Sequence, residues 1–127
     1  MDEAWLRTIA HVESYYDAGA LSDKGAKGVM QLMPDVIAAW GVDDPWSAAQ
    51  SILAGARQLR ALEARYEGDL VLVAAAYNAG VGAVEQHGGV PPYPETREYV
   101  AKVEILYPRY RKALGLAPRS VRRAPAR

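Results

Sequence analysis

The chain has 127 residues, room for one domain with one modest core. Apolar residues make up 50% and charged residues 24%, with a formal net charge of zero, the balance of a soluble globular protein, and no apolar run is long enough to span a membrane. Cysteine is absent, which excludes a disulfide frame, a thiolate-bound zinc and a thiol nucleophile.

Hydrophobic spacing predicts helices almost throughout, because no segment alternates convincingly at period two, and no internal repeat is present; the expected fold class is all-α. The opening MDEAWLRTIAHVES puts acids first and has neither a basic segment nor a small-residue cleavage site, so no signal peptide is expected in it. Residues 2–16 are expected to form the first helix, with Trp5, Leu6, Ile9, Val12 and Tyr16 at helical spacing. Residues 18–28 read as a loop punctuated by Gly19, Gly25 and Gly28. Pro34 suits the first turn of a short helix running to Trp40, and Gly41 stops it. Ser47 is positioned to cap a long helix whose apolar face runs Ile52, Ala56, Leu59, Leu62 and Tyr66. Gly68 ends that helix and Asp69 caps the next. The segment LVLVAAAYN is apolar on every side, the mark of a helix buried at the centre of a protein. Gly80 and Gly82 are expected to break the chain before a short helix around Val84, and GGVPPYP reads as a rigid extended loop. The last helix is expected to begin near Glu95 or Thr96 and run through Tyr99, Val103 and Leu106, with Pro108 kinking or ending it.

The zero net charge hides an asymmetry. Residues 1–108 hold all fifteen acids and eight of the Lys and Arg, a formal charge of −7. The other seven, from Arg109 onward, give +7. The expected organisation is therefore a folded domain over residues 1–115 followed by a loose, basic tail over 116–127, whose charge suits an anionic polymer.

Glu13 is the first candidate for chemistry. It lies four residues after Ile9, on the apolar stripe of the first helix, where desolvation disfavours the charged carboxylate and raises its pKa. A general acid working near neutral pH needs such a shift, although a small rotation of the helix would make Glu13 a boundary residue instead. In SDKGAKGVMQLMP, residues 22–34, two glycines three apart allow close backbone approach, and Ser22 and Gln31 offer hydrogen bonds. That spacing matches no phosphate-binding fingerprint, and Met30, Leu32 and Met33 would ordinarily be core. In AAAYNAG, Tyr77 and Asn78 close the buried helix, where polar side chains either cap it or line a cleft. Glu95 and Tyr99 are four apart and share one face of the last helix.

Taken together, the blocks VESYYDAGALSDKGAKGVMQLMP, ILAGARQLRAL, YEGDLVLVAAAYNAGVGAV and GGVPPYPETREYV resemble, in order, the soluble lytic transglycosylase (SLT) domain, which is related to goose-type lysozyme. The resemblance covers Ile9 to about Tyr107 and implies a lysozyme-like helical domain with a central buried helix and a substrate cleft. It implies that Glu13 is the catalytic glutamate, that Ser22, Gln31 and Met33 line the cleft, and that Tyr77 and Asn78 face the substrate. It further implies that Glu95 binds substrate and that Tyr99 lies close to the catalytic glutamate. The chain departs from the family pattern at Ala18, where proline is common, and at Ser51, where asparagine is usual.

The implied reaction is cleavage of the β-1,4 bond between N-acetylmuramic acid and N-acetylglucosamine in peptidoglycan. Glu13 would protonate the departing oxygen and then, as carboxylate, take the proton from the muramyl C6 hydroxyl as it closes onto C1, giving a 1,6-anhydro product. Most glycosidases pair two carboxylates, but substrate-assisted enzymes are an exception. A goose-type hydrolase of the same bond and a non-catalytic wall-binding module are the alternatives. No cofactor and no metal are expected, because the His and Asp spacings suggest none, and His11 and His87 are expected to be isolated surface or loop residues. The expected partner is the peptidoglycan glycan strand, with anionic-polymer contact through the tail and no nucleic acid, and the expected location is the cell envelope.

Overall fold

A computed structural model of the chain describes residues 1–121. It contains six helices, and among the described residues there is no strand, only two isolated bridges, Leu21 with Lys27 and Lys27 with Leu32. The all-α expectation is borne out. The chain divides into two compact units, Met1–Arg60 and Ala61–Arg127.

In the first unit, α1 spans Glu3–Ser14. The Asp2 carboxylate accepts from the Ala4 amide at 2.9 Å and caps the start, and Glu3 pairs with Arg7 one turn on. Ala4, Trp5, Thr8, Ile9 and Ala10 form its buried face, with the Thr8 hydroxyl satisfied by the Ala4 carbonyl at 2.7 Å. The helix is shorter than the expected 2–16. Tyr15 and Tyr16 both turn left-handed, with φ of 52° and 65°, and Tyr16 is exposed instead of continuing the apolar stripe.

Helix α2 spans Pro34–Ala39, with proline in its first turn, and Gly41 follows at φ 62° as expected. Helix α3, Ala48–Arg65, runs from the first unit into the second. The Ser47 hydroxyl accepts from the Gln50 amide at 3.3 Å, the expected cap. The buried face of α3 is rotated from the expected one: Ser51, Ala54, Gly55, Leu59 and Leu62 are buried, whereas Ile52 is exposed. Two local demands explain the rotation. The Ser51 hydroxyl accepts from the buried Met30 amide at 3.1 Å. A Cβ at Gly55 would lie 2.6 Å from Met30 Cε, so Gly55 is the floor on which Met30 packs.

In the second unit, α4 (Leu70–Ala79) packs against α5 (Val81–His87) and α6 (Pro94–Ala113). The Asp69 carboxylate accepts from the Val71 and Leu72 amides, capping α4 as expected, and Leu70 and Val73 to Ala76 are buried. Gly82 does not break the chain; it lies inside α5, and Gly80 alone makes the turn at φ 92°. Nor does Pro108 end α6, which continues to Ala113 with Tyr107 fully buried beside the proline. A proline removes one amide donor, and a long helix held by Tyr99, Val103 and Tyr107 in the interior tolerates that loss. On the outside, Arg65 pairs with Glu85, which raises the arginine pKa through a hydrogen bond and opposite charge.

Beyond α6 the chain turns at Gly115, φ 70°, and the Arg111 guanidinium donates to the Ala117 carbonyl at 2.9 Å. Arg119 sits 6.0 Å from the Tyr107 ring and Val121 is buried. Arg122, Arg123 and Arg127 of the expected basic tail lie outside the described residues. Among the described residues no helix is long and apolar enough to cross a membrane.

Candidate active site

Glu13 is the penultimate residue of α1 and is half-buried. The residue after it does structural work that the sequence reading missed. The Ser14 hydroxyl donates to the Val29 carbonyl at 2.7 Å and accepts from the Asp17 amide at 3.1 Å. The end of the helix is thereby tied to the segment 20–33, which carries three of the candidate residues. Tyr15 closes the helix through its amide, which donates to the His11 carbonyl.

The 20–33 segment is a tight, internally bonded loop. The Ser22 hydroxyl accepts from the Ala26 amide at 2.9 Å, so it shapes the loop from within. Lys27 and Leu32 exchange both backbone hydrogen bonds, at 3.0 and 2.9 Å. Gln31 is held at φ 51°, and its Nε2 donates to the carbonyls of Ala20 and Gly28 at 3.1 and 3.0 Å. Both partners are acceptors, which fixes the amide orientation and leaves Oε1 as the atom able to receive a donor. Met33 is 38% exposed while Met30 and Leu32 are buried, so Met33 departs from the core reading of its block.

The close approach expected of the glycine pair occurs at Gly28, at φ 79°, where a Cβ would lie 2.3 Å from the Pro45 carbonyl. The partner is the protein's own backbone. Gly25 has nothing within 4 Å of its Cβ position.

In the second unit, Tyr77 and Asn78 occupy the last turn of α4 and are half-buried, and Tyr99 is buried in α6. Glu95 is exposed in the first turn of α6. The hydroxyl of Thr96, 1% exposed, donates to Asn78 Oδ1 at 2.8 Å and joins the ends of the two helices. Thr96 was invisible to periodicity because a buried hydroxyl at an apolar position looks like any boundary residue. His11 is not isolated: its ring packs edge-on against Tyr15 at 4.9 Å and Tyr16 at 6.1 Å. His87 ends α5, with Nδ1 2.9 Å from the Ala83 carbonyl and the ring edge-on to Tyr93. Among the described residues no cluster of three or more His, Asp or Glu could share a metal ion.

The family model described as the transglycosylase SLT domain matches residues 1–100. The chain is 29% identical over 125 residues to a putative soluble lytic murein transglycosylase of Haemophilus influenzae, covering 81% of this chain and 21% of that protein. It is 34% identical over 140 residues to a membrane-bound lytic murein transglycosylase F of Thiobacillus denitrificans, covering 92% of this chain and 30% of that one. Among solved structures, an inactive mutant of lytic transglycosylase Slt from Pseudomonas aeruginosa superimposes with a TM-score of 0.83 at 29% identity, covering 94% of this chain and 23% of that chain. The 70 kDa soluble lytic transglycosylase of Escherichia coli shares the fold, with a TM-score of 0.83 at 24% identity over 98% of this chain and 24% of its own. This chain thus spans about a fifth to a third of these relatives. With the family model matched across all four sequence blocks, the chain belongs to the transglycosylase SLT domain family.

Proposed function

We propose that this domain is a peptidoglycan lytic transglycosylase acting in the cell envelope, with Glu13 as its general acid and then its general base. The observation that carries the reading is the family match over residues 1–100, with Glu13 in the last turn of α1 directly before the fastened Ser14. A glutamate role is further supported by the Pseudomonas aeruginosa relative, which is inactive with a glutamate replaced by glutamine.

In this reading the Glu13 carboxylic acid donates its proton to the glycosidic oxygen as the bond to muramyl C1 breaks. The carboxylate then accepts the C6 hydroxyl proton while that oxygen bonds to C1. The two steps return Glu13 to its starting state and consume no water. Half-burial leaves the Glu13 carboxyl within reach of a substrate. The side chains that meet the glycan in this reading are Gln31, through Oε1, Met33, Tyr77, Asn78, Glu95 and Tyr99. No metal or cofactor enters the proposal.

Digestion of purified cell wall followed by mass spectrometry tests it. The expected muropeptides end in 1,6-anhydro-muramic acid, lighter by one water than hydrolysis products and resistant to borohydride. Reducible, hydrated ends would make the domain a hydrolase of the goose-type lysozyme kind.

A further inference from the structure

The loop bearing Ser22, Gln31 and Met33 carries one more side chain that neither the family match nor the reaction accounts for. The Lys27 ammonium stands 6.0 Å from the centre of the Trp46 ring. Trp46 is 41% exposed, and its neighbour across the loop, Lys27, is half-buried. Among the described residues no carboxylate lies within ion-pair distance of Lys27, although the first 108 residues carry a net charge of −7. In so acidic a body a lysine is easily paired, and this one rests on an aromatic face instead.

Both partners are held by backbone before any ligand arrives. Lys27 is fixed by its paired hydrogen bonds to Leu32, and the next residue, Gly28, lies against the Pro45 carbonyl immediately before Trp46. The Trp46 loop is fixed in turn: the Asp43 and Asp44 amides donate to Gln50 Oε1, and the Trp46 amide donates to the Asp44 carboxylate. Those bonds direct Asp44 toward its own loop. A cation on a preformed aromatic shelf loses little freedom on binding an anion.

We propose that Lys27 and Trp46 form a recognition site for a carboxylate of the glycan strand, the ammonium taking the anion and the indole the adjoining apolar or sugar face. The proposal rests on the peptidoglycan reading, because that polymer, unlike a plain N-acetylglucosamine chain, carries carboxylates on its muramyl residues. These come from two sources. The stem peptide ends in free carboxylates, and the lactyl group itself is a carboxylate once the peptide is removed.

The test measures binding by titration calorimetry of the parent chain, Lys27→Met, Lys27→Arg and Trp46→Leu, each checked for an unchanged melting profile. Three ligands are compared: peptide-bearing glycan fragments, the same fragments stripped of peptide by an amidase, and N-acetylglucosamine oligomers of equal length. Lys27→Met is expected to weaken binding of at least one carboxylate-bearing ligand about fivefold at low salt, less at high salt, with the oligomers unchanged. Lys27→Arg should restore most of the loss, and Trp46→Leu should reproduce part of it. Loss confined to peptide-bearing fragments assigns the stem peptide, and loss confined to stripped fragments assigns the lactyl group. Equal loss on all three ligands, or no loss on any, overturns the proposal. A parent chain that binds the N-acetylglucosamine oligomers alone, or none of the three, removes the peptidoglycan reading and this inference with it.

Discussion

The Ser14 hydroxyl donates to the Val29 carbonyl at 2.7 Å, binding the residue after Glu13 to a loop fifteen positions further along the chain. The placement of Glu13 therefore depends on an interaction that its own side chain does not make. Ser14→Ala should lower stability by about 1–2 kcal/mol, from one lost hydrogen bond and a carbonyl left without its donor. Turnover should fall further than stability, roughly tenfold, because a small displacement of an acid from its target is expensive in rate. A melting curve and a wall-clearing assay on the same preparation separate the two effects.

Glu13→Gln should abolish wall cleavage and leave the fold intact. The substitution keeps the shape and removes the proton that both steps use. A folded variant that still clears peptidoglycan at about a tenth of the parent rate or better would remove Glu13 from the mechanism.

Asn78→Ala is expected to act on stability as well as activity. It leaves the Thr96 hydroxyl, 1% exposed, without its acceptor at Asn78 Oδ1, a loss of about 1–3 kcal/mol. Thr96→Val should share the activity loss, and Thr96→Ser should recover it. If urea unfolding shows Asn78→Ala to be as stable as the parent, the bond between the two helix ends contributes nothing.

Gly28→Ala should be among the most damaging single substitutions in the loop. The residue sits at φ 79° and a Cβ would fall 2.3 Å from the Pro45 carbonyl, a backbone atom with little room to yield. A loss of about 3 kcal/mol is expected from strain and overlap together. Gly25→Ala, also left-handed at φ 89° but with open space around it, should lose about 1 kcal/mol. Denaturant midpoints of the two variants check the difference.

Removing residues 116–127 should lower the melting temperature, since Val121 is buried and its removal forfeits about 1–2 kcal/mol of apolar burial. Val121→Asp in the full chain should have a similar effect. The truncated chain should also bind insoluble wall more weakly at low salt, and the difference should vanish as salt shortens the reach of the charges. Equal melting and equal binding by both chains would make the segment inert.

The helices were legible in the sequence wherever a local signal decided them. Asp69 and Ser47 cap where expected, and Gly41 follows its helix at positive φ. The misreadings share a physical origin. Tyr15 and Tyr16 have the spacing of a continuing helix, and nothing local marks two bulky residues as left-handed. Ser51 is inside and Ile52 outside because Met30, 21 positions earlier, needs an acceptor for its amide and a glycine against which to pack. Pro108 stays within α6 because the tertiary position of Tyr107 outweighs a local rule. The candidate residues could be named from the family resemblance, but the supports at Ser14 and Thr96 are long-range bonds that spacing does not encode.

Helix α4 has its buried stretch, Val73 to Ala76, immediately before Tyr77 and Asn78. Amide hydrogens in that stretch should exchange with solvent only when the whole second unit opens, because no smaller opening exposes a helix wrapped in apolar contacts. At the last turn the protection should fall steeply toward Gly80, where the helix gives way to a left-handed glycine. Two of the residues proposed to meet the glycan thus stand at the boundary between the slowest-exchanging backbone of the unit and a turn that can breathe, a rigid mount with an adjustable edge.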